Sequence, residues 1–231
     1  MKIDIIIPVY NESLYIEAFL NDLLREKTSL NSIRKIIIVD DGSKDSTKDI
    51  IKNFKDNKIV LISYSVNQGK GYAMRIGLER AKKFQADGVI FIDGDGQHNP
   101  KHLAKLIKSL ENNSLIFGFR KLTKNTPYFR RLGNIIIKYL FRTFFNIKRH
   151  DLLCGFMAIR SELFSKIVWE SNDYGVEVEI SAIVAKKRIS FKEILIDTLY
   201  LDAKKGVSLI KAFFIFLKIP YWYFKYNENN Q

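Results

Sequence analysis

Cysteine is nearly absent from this chain of 231 residues: Cys154 stands alone. One thiol excludes an internal disulfide and a thiolate zinc site, and it fits a reducing, cytoplasmic setting as a packed side chain. Long uninterrupted apolar runs are missing too. No stretch reaches the roughly 18 uncharged apolar residues that a membrane-spanning helix needs, so no span is expected. The opening "MKIDIIIPVYNE" does not read as a signal peptide, because Asp4 interrupts a very short apolar run and a turn follows. Internal repeats, low-complexity tracts and clear linkers are absent as well. With 47% hydrophobic and 27% charged residues, the chain has the composition of a folded protein.

The most informative absence is that of acid from two segments. Between Gly118 and His150 there are nine Lys or Arg and no Asp or Glu, and between Ala203 and Lys225 five lysines and no acid. The remainder balances to within one charge, so the net +13 is confined to these two stretches. Both are rich in Phe, Ile, Leu and Tyr. Lys138, Arg142 and Arg149 recur at helical spacing in the first; Lys211, Lys218 and Lys225 stand seven apart in the second. A narrow cationic stripe on a broad apolar helix is the pattern of an interfacial membrane helix, and also that of a helix packed on a sheet with its lysines in water. Two such segments, about 132–149 and 207–225, tip the expectation to membrane contact. Pro220 is expected to kink or end the second helix.

Residues 1–117 alternate between apolar runs and helix-like stretches. "IDIIIPV", "IRKIIIVD", "KIVLIS", "GVIFID" and "SLIFGF" read as strands, separated by helices near 12–27, 45–56, 70–84 and 100–112. Such alternation predicts an α/β fold with a mostly parallel central sheet and flanking helices. Strands this continuously apolar suit a sheet covered on both faces. "SKDSTKDI" offers Ser and Asp caps, and "NPKHL" offers Asn99 as N-cap with Pro100 behind it.

Chemistry-bearing residues cluster where strands end. In "IDGDGQH" (92–98), Asp93 and Asp95 stand two apart after a buried-looking strand, where α/β sheets bind ligands. They read either as an Asp-Gly turn with solvated carboxylates or as hard oxygen ligands for Mg²⁺ or Mn²⁺, with Gln97 as a further oxygen. His98 reads as a neighbour or cap. "VDDGSKDST" (39–47) is a second acidic strand end: Asp40 and Asp41 suit a base or ribose contact, or a capped turn. "NQGKGY" (67–72) is neither a P-loop nor a dinucleotide fingerprint. Its glycines would still let backbone N–H groups approach an anion, with Lys70 adding charge.

Read in order, "PVYNE", "VDDGSKDST", "NQGKGYAMRIGLERA", "DGDGQH" and "DLLCGF" resemble the family 2 glycosyltransferases of GT-A fold. The nearest likeness is to the dolichyl- or polyprenyl-phosphate sugar transferases, with "GFRK", "RRLGN" and "DLLCGF" pointing to that branch. The resemblance spans about residues 3–205. It implies a single GT-A domain over 1–231: a nucleotide-sugar half (1–117), an acceptor half (118–205) and an amphipathic C-terminal helix (206–225). It further implies that Pro8, Tyr10 and Glu12 hold the nucleotide, and that Asp40 and Asp41 contact base and ribose. Lys70, Asp93 and Gly94 line the donor site. Asp93, Asp95 and Gln97 carry a Mg²⁺ or Mn²⁺ ion, Asp95 serving catalysis. Arg120 contacts the sugar nucleotide, Arg130 and Arg131 stand near the reacting phosphates, and Arg120 and Arg131 join Asp95 as catalytic residues. Lys204 and Lys205 match a basic C-terminal phosphate contact poorly. Gly94 and Gly96 replace the Ala and Leu common in the lipid-phosphate branch, a departure that bears on sugar choice. Many relatives carry C-terminal transmembrane helices, which are not found before Gln231. The Q-x-x-R-W signature of processive synthases is also missing.

The function so implied is inverting transfer of a hexose from GDP-mannose or UDP-glucose to a polyprenyl or dolichyl phosphate. The enzyme would be peripheral at the cytoplasmic membrane face, held by its basic amphipathic helices or by a membrane-anchoring partner. A phosphate acceptor is already anionic and needs cationic surroundings more than a base, which fits the acid-free segment 118–150. A glycan or lipid hydroxyl acceptor would instead call for a positioned base. Asp151, Glu177 and Glu179 are the late candidates, each read as structural or sugar-contacting. Nonspecific nucleic-acid binding by a +13 chain is the remaining rival. The near-neutral α/β part and its acidic strand ends argue against it.

Overall fold

The computed structural model describes residues 1–26, 31–121, 128–197 and 209–228, without the side chains of 128–130, 209–211 and 228. Seven strands form one sheet: β1 (Ile3–Val9), β2 (Ile33–Asp40), β3 (Ile59–Ser63), β4 (Gly88–Phe91), β5 (Leu115–Arg120), β6 (Met157–Arg160) and β7 (Lys192–Ile196). Their order is β3-β2-β1-β4-β6-β5-β7, and every pairing is parallel except those of β6 with β4 and β5. The helices are α1 (Ile16–Arg25), α2 (Thr47–Asn53), α3 (Lys70–Lys83), α4 (Leu103–Leu110), α5 (Tyr128–Phe145), α6 (Val176–Lys186) and α7 (Leu209–Glu228). The mostly parallel sheet and the first five strands agree with the sequence expectation. Strands β6 and β7 and helix α6 do not announce themselves, being four, five and eleven residues long within a less regular stretch.

Period-two alternation divides the strands between two cores. Ile5, Ile7, Ile36 and Ile38 pack under α1, α2 and α4, with Phe19, Leu20, Ile51, Leu103 and Leu106. Ile6, Ile37, Val39 and Phe91 pack under α3 and α6, with Met74, Leu78, Ile180 and Ile183. The one charge inside β1, Asp4, is fully buried and accepts a forked pair of bonds from Arg34 on β2, at 3.0 and 2.7 Å. Unpaired, a buried carboxylate would be too costly to keep.

Capping follows the sequence in part. Asn99 accepts from Lys101 N at 3.0 Å, with Pro100 next, but opens a 3-10 turn (Pro100–His102) that leads into α4. At α2 the cap is Asp45 rather than Ser46: its carboxylate takes Thr47 N at 3.0 Å and Ser13 N at 3.1 Å. Partial burial opposes ionisation of Asp45, but these bonds outweigh it and hold its pKa at about 2.

The two basic helices form a third core with α6. Ile137, Phe141 and Phe145 of α5 meet Ile215, Ile219 and Trp222 of α7 over Val178 and Ala182. Two expectations change here. Helix α7 does not end at Pro220 but continues to Glu228, because Ile219 and Trp222 are buried on either side of the missing N–H. Two of its three stripe lysines are not free either: Lys218 pairs with Asp173 at 2.8 Å and Lys225 with Glu170, while the Lys211 side chain lies outside the described residues. What α7 shows outward is apolar, with Phe213, Leu217, Tyr221 and Phe224 all more than half exposed. On α5, Arg131 and Arg142 are exposed beside Ile136 and Tyr139.

Candidate active site

The strand order reverses between β1 and β4, which makes the carboxyl edge of these strands the ligand crevice expected of an open α/β sheet. The loops leaving β1 and β2 there are laced into one rim. Asn11, at a left-handed φ of 54°, donates its N–H to Ser43 Oγ at 2.9 Å and accepts from Lys44 N at 2.8 Å. Glu12 N donates to Thr47 Oγ1 at 2.7 Å. The "PVYNE" and "DDGS" motifs, thirty residues apart in the chain, therefore form a single wall. On it Pro8 and Glu12 are half-buried and Tyr10 is exposed.

Asp40 and Asp41 are buried at the base of this wall and already engaged. Asp40 accepts from Ser43 N at 3.1 Å and Ser63 Oγ at 2.9 Å. Asp41 accepts from Gln68 N, Gly69 N and Asn67 Nδ2, each at 2.8 Å. The "NQGKGY" loop is thus bound to an internal carboxylate. Beyond Lys70, Gly71 N and Tyr72 N donate to Asn172 O at 2.7 and 3.4 Å. The expectation that this loop's backbone greets an anion is corrected: four of its N–H groups are spent inside the protein. The glycines serve close packing instead. Gly69 has φ +97°, and a Cβ on Gly71 would stand on the Ser171 carbonyl oxygen, a backbone atom that cannot rotate away. Gly71→Ala should therefore cost about 1–3 kcal/mol, seen as a thermal midpoint several degrees lower; an unchanged midpoint would contradict this packing.

Lys70 points its ammonium into the crevice. Nζ lies 2.6 Å from Asp93 Oδ1 and 2.6 Å from Glu177 Oε1, on the first turn of α6. Burial disfavours all three charges, but mutual attraction wins for two of them: Lys70 is held above its ordinary value and Asp93 well below its own. Glu177 goes the other way, since burial pushes it up against the pull of Lys70. Gly155, leading into β6, closes the cluster. A Cβ there would lie 2.6 Å from both Asp93 Oδ2 and Lys70 Nζ. His98 is buried behind Asp93, with Nε2 3.6 Å from Oδ2 and its ring tilted against Phe156. It is a neighbour, as its position in the motif suggests. Its Nδ1 has no hydrogen-bond partner among the described residues.

Asp95 stands further out, half-buried. Its carboxylate meets Gln97 N at 3.0 Å and Gln97 Nε2 at 2.6 Å, and has no cationic partner among the described residues. Asp93 and Glu177 thus share one ammonium while Asp95 has none among the described residues, an excess of negative charge around hard oxygen donors. Gly94 is buried, and a Cβ there would meet Val9 Cγ1 at 2.5 Å. Its small size answers to packing on β1. No group of three or more His, Cys, Asp or Glu poised to hold a metal ion occurs among the described residues. Any cation here would rest on Asp93, Asp95 and the Gln97 amide.

Arg120, at the end of β5, is gripped by Asp151: Nε to Oδ2 at 2.6 Å and Nη2 to Oδ1 at 3.1 Å, with a further bond to Leu153 O at 3.2 Å. Burial alone would raise the Asp151 pKa, but Arg120 holds it below the usual range. Arg149 anchors the same loop, donating to Asp151 O at 2.9 Å while its guanidinium lies 3.5 Å from the Phe117 ring centroid. Cys154 is buried in this loop, and burial pushes its thiol up to about 12, so it is chemically quiet. Arg131 sits exposed on the first turn of α5. The Arg130 side chain, Lys204 and Lys205 lie outside what is described. Glu177 and Asp151 are the site-region residues whose roles the sequence left open. Their acidic type was visible, but not the lysine and arginine that each would meet.

A strand-edge crevice lined by a D-x-D turn and an Asp-Asp-Gly wall is the arrangement that the glycosyltransferase likeness implies, and comparison gives the class. The glycosyl transferase family 2 model matches residues 4–168, and the chain belongs to that family. Among its relatives is the UDP-N-acetylglucosamine–dolichyl-phosphate N-acetylglucosaminyltransferase of Methanococcus voltae, 30% identical over 93% of this chain and 93% of that one. Another is the undecaprenyl-phosphate 4-deoxy-4-formamido-L-arabinose transferase of Proteus mirabilis, 25% identical over 72% of this chain and 51% of that one. The fold is GT-A-like. The crystal structure of glucosyl-3-phosphoglycerate synthase from Mycobacterium tuberculosis, in complex with Mn²⁺, uridine diphosphate and phosphoglyceric acid, superimposes with a TM-score of 0.74. That match covers 97% of this chain and 78% of that one at 17% identity.

Proposed function

We propose that the protein transfers one sugar from a nucleotide sugar to a polyprenyl or dolichyl phosphate, inverting the anomeric centre, at the cytoplasmic membrane face. The observation that carries the reading is the crevice itself. A half-buried D-x-D turn holds Asp93 paired with the half-buried Lys70 and Asp95 without a cationic partner among the described residues, on a chain whose basic helices expose apolar side chains. The two relatives named above differ in sugar but share a lipid-phosphate acceptor. Donors to be considered are GDP-mannose, UDP-glucose and, from the first relative's name, UDP-N-acetylglucosamine.

The residue types fit a divalent cation, Mg²⁺ or Mn²⁺: Asp95 offers carboxylate oxygens, the buried Gln97 amide meets it through Nε2 at 2.6 Å, and Asp93 shares its carboxylate with Lys70. Such a cation, when bound, neutralises charge on the departing nucleoside diphosphate. Lys70 supplies fixed positive charge in a water-poor setting, where it acts most strongly on charge developing in the transition state. Pro8, Tyr10, Glu12, Asp40 and Asp41 form the wall assigned to the nucleotide, with Arg120 held by Asp151 at its far side. Arg130, Arg131, Lys204 and Lys205 are assigned to the acceptor phosphate. Lipid-phosphate oxygen is anionic near neutral pH, so no strong base is required. The 1–117, 118–205 and 206–225 parts then bind donor, acceptor and membrane within one domain. Among the described residues no helix is long and apolar enough to cross a membrane. The outward Phe213, Leu217, Tyr221 and Phe224, with basic Arg131 and Arg142 nearby, suit an interfacial lie.

The test supplies each nucleotide sugar with a short-chain polyprenyl phosphate or the matching polyprenol, with and without Mg²⁺ or Mn²⁺. Metal-dependent transfer to the phosphate and none to the alcohol is expected. Transfer to the alcohol alone would overturn the acceptor assignment.

A further inference from the structure

Residues 170–175, which lead into α6, cross the first turn of α3 and are bonded on three sides. From α3, Gly71 N and Tyr72 N donate to Asn172 O, and Arg75 Nη1 donates to the carbonyls of Glu170 and Ser171 at 3.2 and 3.1 Å. From α6, the Glu179 carboxylate, 1% exposed, accepts the N–H groups of Glu170 at 3.1 Å and Ser171 at 2.7 Å. From α7, the Tyr226 hydroxyl donates to that same carboxylate at 2.5 Å, while Lys218 and Lys225 pair with Asp173 and Glu170. Only the Asn227–Lys186 bond, at 2.7 Å, joins α7 to the domain elsewhere among the described side-chain hydrogen bonds.

We propose that α7 is a positioning element of the active site and that Glu179 and Tyr226 are its positioning residues, acting on Lys70 through the 170–175 segment. Lys70 is the first residue of α3 and lies between two glycines, whose backbone freedom leaves its direction underdetermined. The Asn172 carbonyl fixes the peptide on its C-terminal side, and Glu179 fixes the segment carrying that carbonyl. Among the described hydrogen bonds Glu179 joins Glu170, Ser171 and Tyr226 and no crevice residue. A buried carboxylate bonded to two amides and a phenol is costly unless all three donors are present. Removing one therefore loosens the segment, and with it the aim of an ammonium that must reach two carboxylates at 2.6 Å. Displacements of about 1 Å in such groups cost up to about a hundredfold in rate. The inference rests on the reading of Lys70 as a crevice residue of the transferase.

The experiment compares Tyr226→Phe, Glu179→Gln, Asn227→Ala and Lys70→Gln in the full chain. Transfer kinetics, thermal midpoint and amide hydrogen exchange at Gly71 and Tyr72 are read for each. Tyr226→Phe keeps the ring and removes only the donor. It should lower kcat about tenfold and expose those two amides, while amides in the middle of α3 stay protected. Glu179→Gln should do the same or more, and Asn227→Ala should leave both readings unchanged. Lys70→Gln should be nearly inactive with its amide protection kept. Wild-type kcat in both Tyr226→Phe and Glu179→Gln, with Lys70→Gln inactive, overturns the positioning role and leaves the Lys70 reading standing. Equal losses in Asn227→Ala and Tyr226→Phe would overturn it too, as a general effect of loosening α7. Full activity in Lys70→Gln would instead remove the reading on which the proposal rests, and the proposal with it.

Discussion

Asp95→Ala is expected to reduce sugar transfer by at least about 10²–10³-fold, the usual cost of losing one preorganised charge-stabilising group, while the protein stays folded. The structure separates the two effects. Asp95 is half-buried in a turn, and its partners are the side chain and backbone of Gln97 two residues on. Losing those bonds costs about 1 kcal/mol, a small part of a domain's stability. The carboxylate's value lies in what it presents to the crevice. Asp95→Asn keeps the shape and one acceptor oxygen but removes the charge, and should be nearly as inactive. Rates with saturating Mn²⁺, set beside thermal midpoints, decide the matter. Full activity in either variant would sink the cation assignment.

Lys70→Gln carries the second large effect. An amide of similar reach can still donate to Asp93 or Glu177, but two carboxylates are then left in one buried pocket without a counter-charge. Transfer should fall by about 10²-fold or more through loss of positive charge beside the diphosphate. Stability should fall by about 1.5–3 kcal/mol, because bonds to charged partners are lost. Glu177, already pushed up by burial, should then be pushed up further, because the pull of Lys70 is gone. This predicts a specific rescue. Adding Glu177→Gln to Lys70→Gln removes the like-charge pair and should restore most of the thermal midpoint without restoring activity, a coupling that a double-mutant cycle measures directly. If the two losses of stability simply add, the Lys70–Asp93–Glu177 cluster is not the energetic unit that its 2.6 Å contacts indicate.

Much of this site could be read before any coordinates, and what could not follows a pattern. Asp93, Asp95 and Gln97 were visible because they lie within five residues, where a turn alone brings them together. The "PVYNE" and "DDGS" motifs were visible one at a time. Their fusion into one wall depends on β1 and β2 being parallel neighbours, which alternation of strand and helix foretold. Glu177 was another matter. It stands 107 positions after Lys70 and 84 after Asp93, and the sequence between carries no spacing that says which acid a lysine will meet. The "NQGKGY" loop shows the opposite error. Glycines beside a lysine invite an anion-binding reading, yet their hydrogen bonds go to Asp41 and Asn172, residues distant in sequence.

The sequence by itself determined the α/β class, the first five strands, the family and the acidic strand ends, because these rest on local apolar periodicity and on motifs that a few consecutive residues complete. Tertiary structure alone decided which charges are spent internally. Lys218 and Lys225 turned from a free stripe into partners of Asp173 and Glu170, Pro220 was carried through by buried neighbours, and Arg120 was given to Asp151. Charge pairing acts over a few ångströms in space and is indifferent to distance along the chain, so only the fold could assign it.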